Sequence, residues 1–229
     1  MLIAIDHGNK QMKTVNCPPF VSGLAESSTK PFGSNILMYR DRYYTLSNQR
    51  IPYKRDKTED DRFFILTLFG IAQELQAKGI YGEMPQRIRL AVGLPPAHYG
   101  AQHQAFIRYF SDRGVVKFNY RGKNHAVYIE DVRCYPQAYA AAVTMMDRLV
   151  ESPKVLIVDI GGFTADYLMM RSGRADLAVR FFGNSFRRTE GKAGGNQRMP
   201  GRFCLCTGAA GVYSRVCGLR AGIGTYGDA

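Results

Sequence analysis

Val155-Leu156-Ile157-Val158-Asp159-Ile160-Gly161-Gly162-Phe163-Thr164-Ala165-Asp166-Tyr167-Leu168-Met169-Met170 is the stretch that decides the fold. Two apolar runs flank an acid and two glycines, which reads as strand, tight turn, strand. Glycine lets a backbone approach a phosphate closely and present its N–H groups. A carboxylate beside such a turn suits Mg²⁺, which keeps most of its waters when bound. Taken alone, the phrase also fits an ordinary β-hairpin with a glycine turn.

A phrase of the same kind opens the chain. Leu2-Ile3-Ala4-Ile5 runs into Asp6-His7-Gly8-Asn9-Lys10-Gln11-Met12-Lys13, again strand, acid, glycine and return strand. Lys13 is placed to reach back toward a bound phosphate, or to lie as an exposed strand lysine. His7 is expected to offer its backbone to the turn, with its side chain outward. Before the later hairpin, Pro136-Gln137-Ala138-Tyr139-Ala140 reads as a helix start, with proline in the first turn. Two Asp–Gly hairpins with a Pro-Gln helix start between them are far more specific than either hairpin alone.

On these residues the chain resembles the ATPase superfamily that contains actin and the sugar kinases. Within it, the chain is most similar to the bacterial actin-like proteins of the ParM/StbA type, which segregate plasmids. The first phosphate motif of that family is matched by Asp6, Gly8 and Lys13, and the second by Asp159, Gly161, Gly162, Thr164 and Asp166. The connecting helix is matched by Pro136-Gln137, and Leu90–Gly100 looks like the strand and loop of ParM-type N-terminal domains. The likeness runs from Met1 to about Val179.

The resemblance implies an α/β fold of two facing ribonuclease H-like, actin-like domains. Residues 1–150 would be the N-terminal ATPase domain, and 151–179 the start of a second domain carrying the second phosphate hairpin. The family's adenosine loop is not readable after that, so the second domain is expected to be incomplete and the copy truncated. The cofactor implied is Mg-ATP. Asp6 and Asp159 would hold Mg²⁺ through its waters. Gly8, Asn9 and Lys10, with Gly161, Gly162 and Thr164, would give donors to the phosphates, and Lys13 would neutralise them. Gln137 would orient the attacking water, as Gln does in several nucleotide hydrolases, and Asp159 would share in catalysis. Each aspartate also reads as a turn cap, and Gln137 as a polar residue near a helix start.

Composition bounds what remains. The chain has 229 residues, 45% of them apolar, enough for a packed core. No run approaches the roughly 20 apolar residues of a membrane helix. Five cysteines without framework spacing fit a reducing compartment, and a cytoplasmic protein is expected. The net charge is +12, and half of that excess lies after residue 179, so direct DNA binding is not expected. Residues 180–229 hold 11 of the 24 glycines and show no sustained apolar period. They are expected to be disordered or non-native, as after a frameshift. Cys204-Leu205-Cys206 with Cys217 lacks a fourth zinc ligand.

Along the chain, Thr58 is expected to cap a helix carrying Phe64, Leu68, Ile71 and Leu75 on one face. Further expectations are a strand at 87–92, helices at 102–110 and 136–149, paired strands at 115–120 and 126–132, and strands at 154–159, 165–171 and 174–179. The last three would carry an unpaired edge and an uncovered apolar face of Ile157, Leu168 and Met170.

The partners implied by the family are further copies of the chain, in nucleotide-dependent filaments, and a DNA-bound adaptor protein, with no membrane partner. The alternatives are a non-polymerising, sugar-kinase-like ATPase and an inactive fragment. A kinase needs an aspartate to activate the substrate hydroxyl, and Gly93-Leu94-Pro95-Pro96 offers none. No Gly-x-Ser-x-Gly and no Cys–His grouping supports nucleophilic catalysis.

Overall fold

Period-two alternation builds the first strand. In β1 (Leu2–His7), Ile3, Ile5 and His7 are buried on one face, while Ala4 and Asp6 share the other. The computed structural model describes residues 1–160, 165–175, 202–207 and 214–217. The chain divides into two compact units, Met1–Gln137 and Ala138–Ala229.

After β1, the first unit continues through β2 (Gln11–Thr14), β3 (Phe20–Val21), β4 (Leu24–Ser27), β5 (Ile36–Tyr39) and β6 (Arg42–Leu46). Then come α1 (Arg62–Ala77), β7 (Gln86–Leu94), α2 (Pro96–Ser111), β8 (Val115–Tyr120) and β9 (Lys123–Pro136). One sheet takes all nine strands in the order β3-β2-β1-β7-β9-β8-β5-β6-β4. β1, β2 and β3 form an antiparallel meander. β7 then lies parallel to β1, and β9 parallel to β7. A meander continued by parallel strands is the ribonuclease H-like arrangement expected from the sequence.

The core forms around α1. The spacing of Phe64, Leu68, Ile71 and Leu75 predicts one apolar face, yet every residue from Phe63 to Ala72 is buried. A helix apolar on all sides is covered on all sides. Phe64 packs its ring against Tyr39, Tyr109 and Phe110, and Phe69 packs edge-on against Tyr120. Near the end of α1, the buried Glu74 receives the Asn16 backbone N–H at 2.8 Å and its side-chain amide at 2.7 Å. Burial alone would raise the Glu74 pKa, but these donors outweigh it and hold the carboxyl below its usual range.

Several element ends differ from expectation. α1 starts at Arg62, not at Thr58. The Thr58 hydroxyl and N–H both turn to Asp56, and Asp60 takes the Arg62 N–H at the helix start. α2 begins six residues before the expected helix because Pro96 occupies its first turn, where a missing N–H costs nothing. β9 runs through Pro136, and the expected helix 136–149 does not begin there.

The second unit holds α3 (Tyr139–Val143), α4 (Met146–Leu149), β10 (Lys154–Ile160), β11 (Ala165–Arg171), β12 (Arg174–Ala175), β13 (Arg202–Thr207) and β14 (Ser214–Cys217). Its sheet order is β12-β11-β10-β13-β14. β10 to β12 are the expected meander, with residues 176–179 outside the described residues.

Two expectations are corrected here. β10 has no unpaired edge, because β13 lies parallel along it from Val155 to Ile160. This strand, paired in turn with β14, lies inside the 180–229 segment. The rest of that segment is outside the described residues. Nor is the face of Ile157, Leu168 and Met170 uncovered, since all three are buried in a cluster with Ala138, Ala142 and Leu149. Among the described residues no helix is long and apolar enough to cross a membrane.

Candidate functional site

Because β1, β7 and β9 are parallel neighbours, their C-terminal ends share one edge of the sheet. That edge is where open α/β sheets place ligands. Asp6 is the next-to-last residue of β1, and Lys13 stands directly opposite it on β2. Lys13 Nζ lies 3.3 Å from Asp6 Oδ2. Gln137 follows the last residue of β9 and extends the parallel ladder, its N–H donating to the Leu94 carbonyl at 2.7 Å. Its side-chain Nε2 donates to Asp6 Oδ1 at 2.9 Å. Three residues singled out from the sequence, Asp6, Lys13 and Gln137, thus meet around one carboxylate.

The turn between β1 and β2 is built for close approach. A Cβ on Gly8 would sit 2.5 Å from the Gln11 carbonyl oxygen, so only glycine fits this turn. The carbonyls of Gly8 and Lys10 both accept from Ser22, through its hydroxyl (2.6 Å) and its N–H (3.1 Å). The His7 carbonyl accepts from the ammonium of Lys57. Ser22 and Lys57 are both buried, so these carbonyls, which would repel an anion, are tied to interior donors. Asn9 is half-buried and Lys10 exposed at the tip.

His7 is a correction. Its side chain points inward and is fully buried. Nε2 lies 2.8 Å from Thr67 Oγ1, whose own proton goes to the Phe63 carbonyl at 2.8 Å. The imidazole is therefore the donor at Nε2. Phe106 meets the ring edge-on, and Phe110 lies tilted against it, both at 5.4 Å. Burial, reinforced by the Lys57 charge and only partly offset by the Ile5 carbonyl, lowers the His7 pKa to about 3. The sequence carried the signal: Ile3, Ile5 and His7 share the phase opposite Asp6. Lys57, Thr67 and Ser22 gave no comparable sign, because they lie in segments without a motif.

In the second unit, Asp159 is likewise the next-to-last residue of its strand, at the C-terminal end of a parallel pair. It stands directly opposite Asp166 on β11. Gly161, Gly162, Phe163 and Thr164 lie outside the described residues. Among the described residues, no group of three or more His, Cys, Asp or Glu side chains has metal-ligand geometry. Cys134 is buried and its thiol pushed up to about 12, so it offers no thiolate.

A nine-stranded mixed sheet with an acid, a lysine and a glutamine at the edge of its parallel strands defines a mixed α/β protein of actin-like fold. A family model described as the N-terminal domain of actin like proteins matches residues 4–139, more than half of the chain, and the chain belongs to that family. No curated protein matches it. Among solved structures it is similar to an AlfA filament bound to AMPPNP, with a TM-score of 0.58 and 16% identity over 77% of this chain and 66% of that one. It is also similar to the apo psk41 ParM protein, at 0.61 and 13% over 76% and 63%. A 15-stranded ParM filament from Clostridium botulinum gives 0.58 and 17% over 76% and 60%. The chain spans less than two thirds of the length of each of these structures. At such identities the likeness is one of fold.

Proposed function

We propose that this chain is a nucleotide-dependent, filament-forming actin-like protein of the ParM/StbA type, binding Mg-ATP and acting in plasmid DNA segregation. The observation that carries this reading is the convergence of Asp6, Lys13 and Gln137 at the edge where β1, β7 and β9 end. The relatives of like fold include filaments, one of them bound to AMPPNP, which supports self-association and a nucleotide.

On this reading the bound Mg²⁺ supplies charge neutralisation at the phosphates. The carboxylates that the family resemblance assigns to the waters of Mg²⁺ are those of Asp6 and Asp159. Gly8, Asn9 and Lys10 form one donor turn; Gly161, Gly162 and Thr164, the further phosphate donors that the resemblance implies, lie outside the described residues. Lys13, already beside Asp6, adds positive charge. Gln137 Nε2 is committed to Asp6, whose carboxylate only accepts, so the amide oxygen Oε1 is the end left to hold a water. Residues 151–179 lie within the second unit, which begins at Ala138 rather than at residue 151, and carry β10 and β11 of the second actin-like domain. A DNA-bound adaptor rather than the chain itself contacts DNA, in the cytoplasm.

The test is calorimetry and phosphate release with Mg-ATP on the chain and on Gln137→Ala. The variant is expected to bind as the parent does and to release phosphate roughly 100-fold more slowly, because a water-orienting group acts in the transition state. Electron microscopy with Mg-ATP is expected to show filaments. No heat of binding at millimolar Mg-ATP, or equal release rates, sinks the reading.

A further inference from the structure

Gly93, next to last in β7, sits in a strand interior where glycine weakens pairing and packs nothing. Its backbone does not require it, since its φ lies outside the left-handed region that favours glycine. The reason lies above it. β7 stands between β1 and β9, so Gln137 at the end of β9 must cross β7 to reach Asp6 on β1. Two strand spacings are about 9.5 Å. Gln137 crosses directly over Gly93: a Cβ there would lie 3.0 Å from Gln137 Cγ and 3.8 Å from its Nε2.

We propose that Gly93 is a positioning residue, whose missing side chain opens the path by which Gln137 reaches Asp6 and aims its amide oxygen. The hydrolytic arm of this inference rests on the function proposed above; the geometric arm does not. With the donor end of the amide fixed on Asp6, nothing among the described residues donates to Oε1. A side chain on Gly93 lifts the Gln137 stem off the strand, breaks the bond to Asp6 and leaves the amide free to rotate. Alanine demands a displacement of a few tenths of an ångström, and valine demands more.

The test uses the full chain and the variants Gly93→Ala, Gly93→Val, Gln137→Ala and the double variant Gly93→Val/Gln137→Ala. In ¹⁵N spectra without nucleotide, the Gln137 side-chain amide is identified by its loss in Gln137→Ala. It is expected to be shifted and exchange-protected in the parent, partly released in Gly93→Ala, and solvent-like in Gly93→Val. Phosphate release with Mg-ATP is expected to fall roughly 10- to 100-fold in Gly93→Val, the scale of a misplacement of about 1 Å, while Mg-ATP affinity changes by less than about threefold. Because Gly93 acts through Gln137, the double variant is expected to be no slower than Gln137→Ala alone.

An unchanged Gln137 amide in Gly93→Val overturns the proposal. So does a double variant slowed by the product of the two single effects. Loss of the fold in both Gly93 variants also overturns it, since glycine would then serve the strand alone. If Gln137→Ala hydrolyses ATP at the parent rate, the proposed function fails, while the amide resonance still decides the role of Gly93.

Discussion

His7 makes the stability of the first unit depend on pH in a window where few groups titrate. The imidazole is fully buried beneath the β1–β2 turn. Thr67 faces it from α1, Phe106 and Phe110 from α2, and the Lys57 ammonium lies at its carbonyl. Its folded pKa is about 3 against 6.5 for the free side chain. A histidine with a depressed folded pKa binds its proton only in the unfolded chain, so acid favours unfolding. The destabilisation begins as pH falls through about 6.5 and grows as pH falls through about 3. At pH 5 it amounts to about 2 kcal/mol, and it approaches its full value of about 5 kcal/mol only below pH 3.

The assay is urea unfolding at pH 7.5 and pH 5.0, on the parent and on His7→Gln, which keeps an amide donor for Thr67. The parent is expected to lose about 2 kcal/mol more than the variant between the two pH values. His125, also buried and lowered by burial, pulls in the same direction but is common to both proteins and cancels. Equal losses in parent and variant refute the argument, because they require His7 to reach water or to carry its proton when folded.

Glu74→Gln is expected to cost about 1–3 kcal/mol at pH 7, since a neutral amide cannot accept both Asn16 donors. The folded Glu74 pKa is depressed, so its stabilisation is present above about 4.5 and is lost as pH falls through the folded value. Parent and variant should therefore converge in urea midpoint as pH falls below about 4.5. Phe64→Ala removes a fully buried ring at the junction of Tyr39, Tyr109 and Phe110 and is expected to cost about 3–5 kcal/mol in thermal or urea unfolding.

The two hairpins were legible because strand, acid, glycine and return strand lie within one short phrase each. α1 was legible because its apolar residues recur at helical spacing. What failed was long-range pairing. Pro136-Gln137 looks like a helix start, yet Pro136 belongs to β9, because Val132, Cys134 and Pro136 continue the buried phase of that strand. β8 pairs with β9 only as far as Tyr128, so a proline near the strand end removes no donor from that ladder. The chain then breaks at Ala138, which takes a left-handed φ of 67° before α3. The site was half legible. Asp6, Lys13 and Gln137 were named from motifs, but Gly93 was not given a role. Its use appears only when β7 is known to lie between β1 and β9, a fact of sheet order that no local window contains.

The two units repeat one design with one change of charge. In each, an acid next to last in the first strand faces a residue seven positions later on the return strand, and that first strand pairs in parallel with a later one. In the first unit the facing residue is Lys13; in the second it is Asp166. A carboxylate opposite a lysine is neutralised and leaves the glycine turn to attract an anion. A carboxylate opposite a second carboxylate on the same face concentrates negative charge, and Asp159 and Asp166 each have an interaction partner in the folded chain. Duplicated strand pairs supply the frame, and the identity of one cross-strand residue sets the charge that stands beside each aspartate.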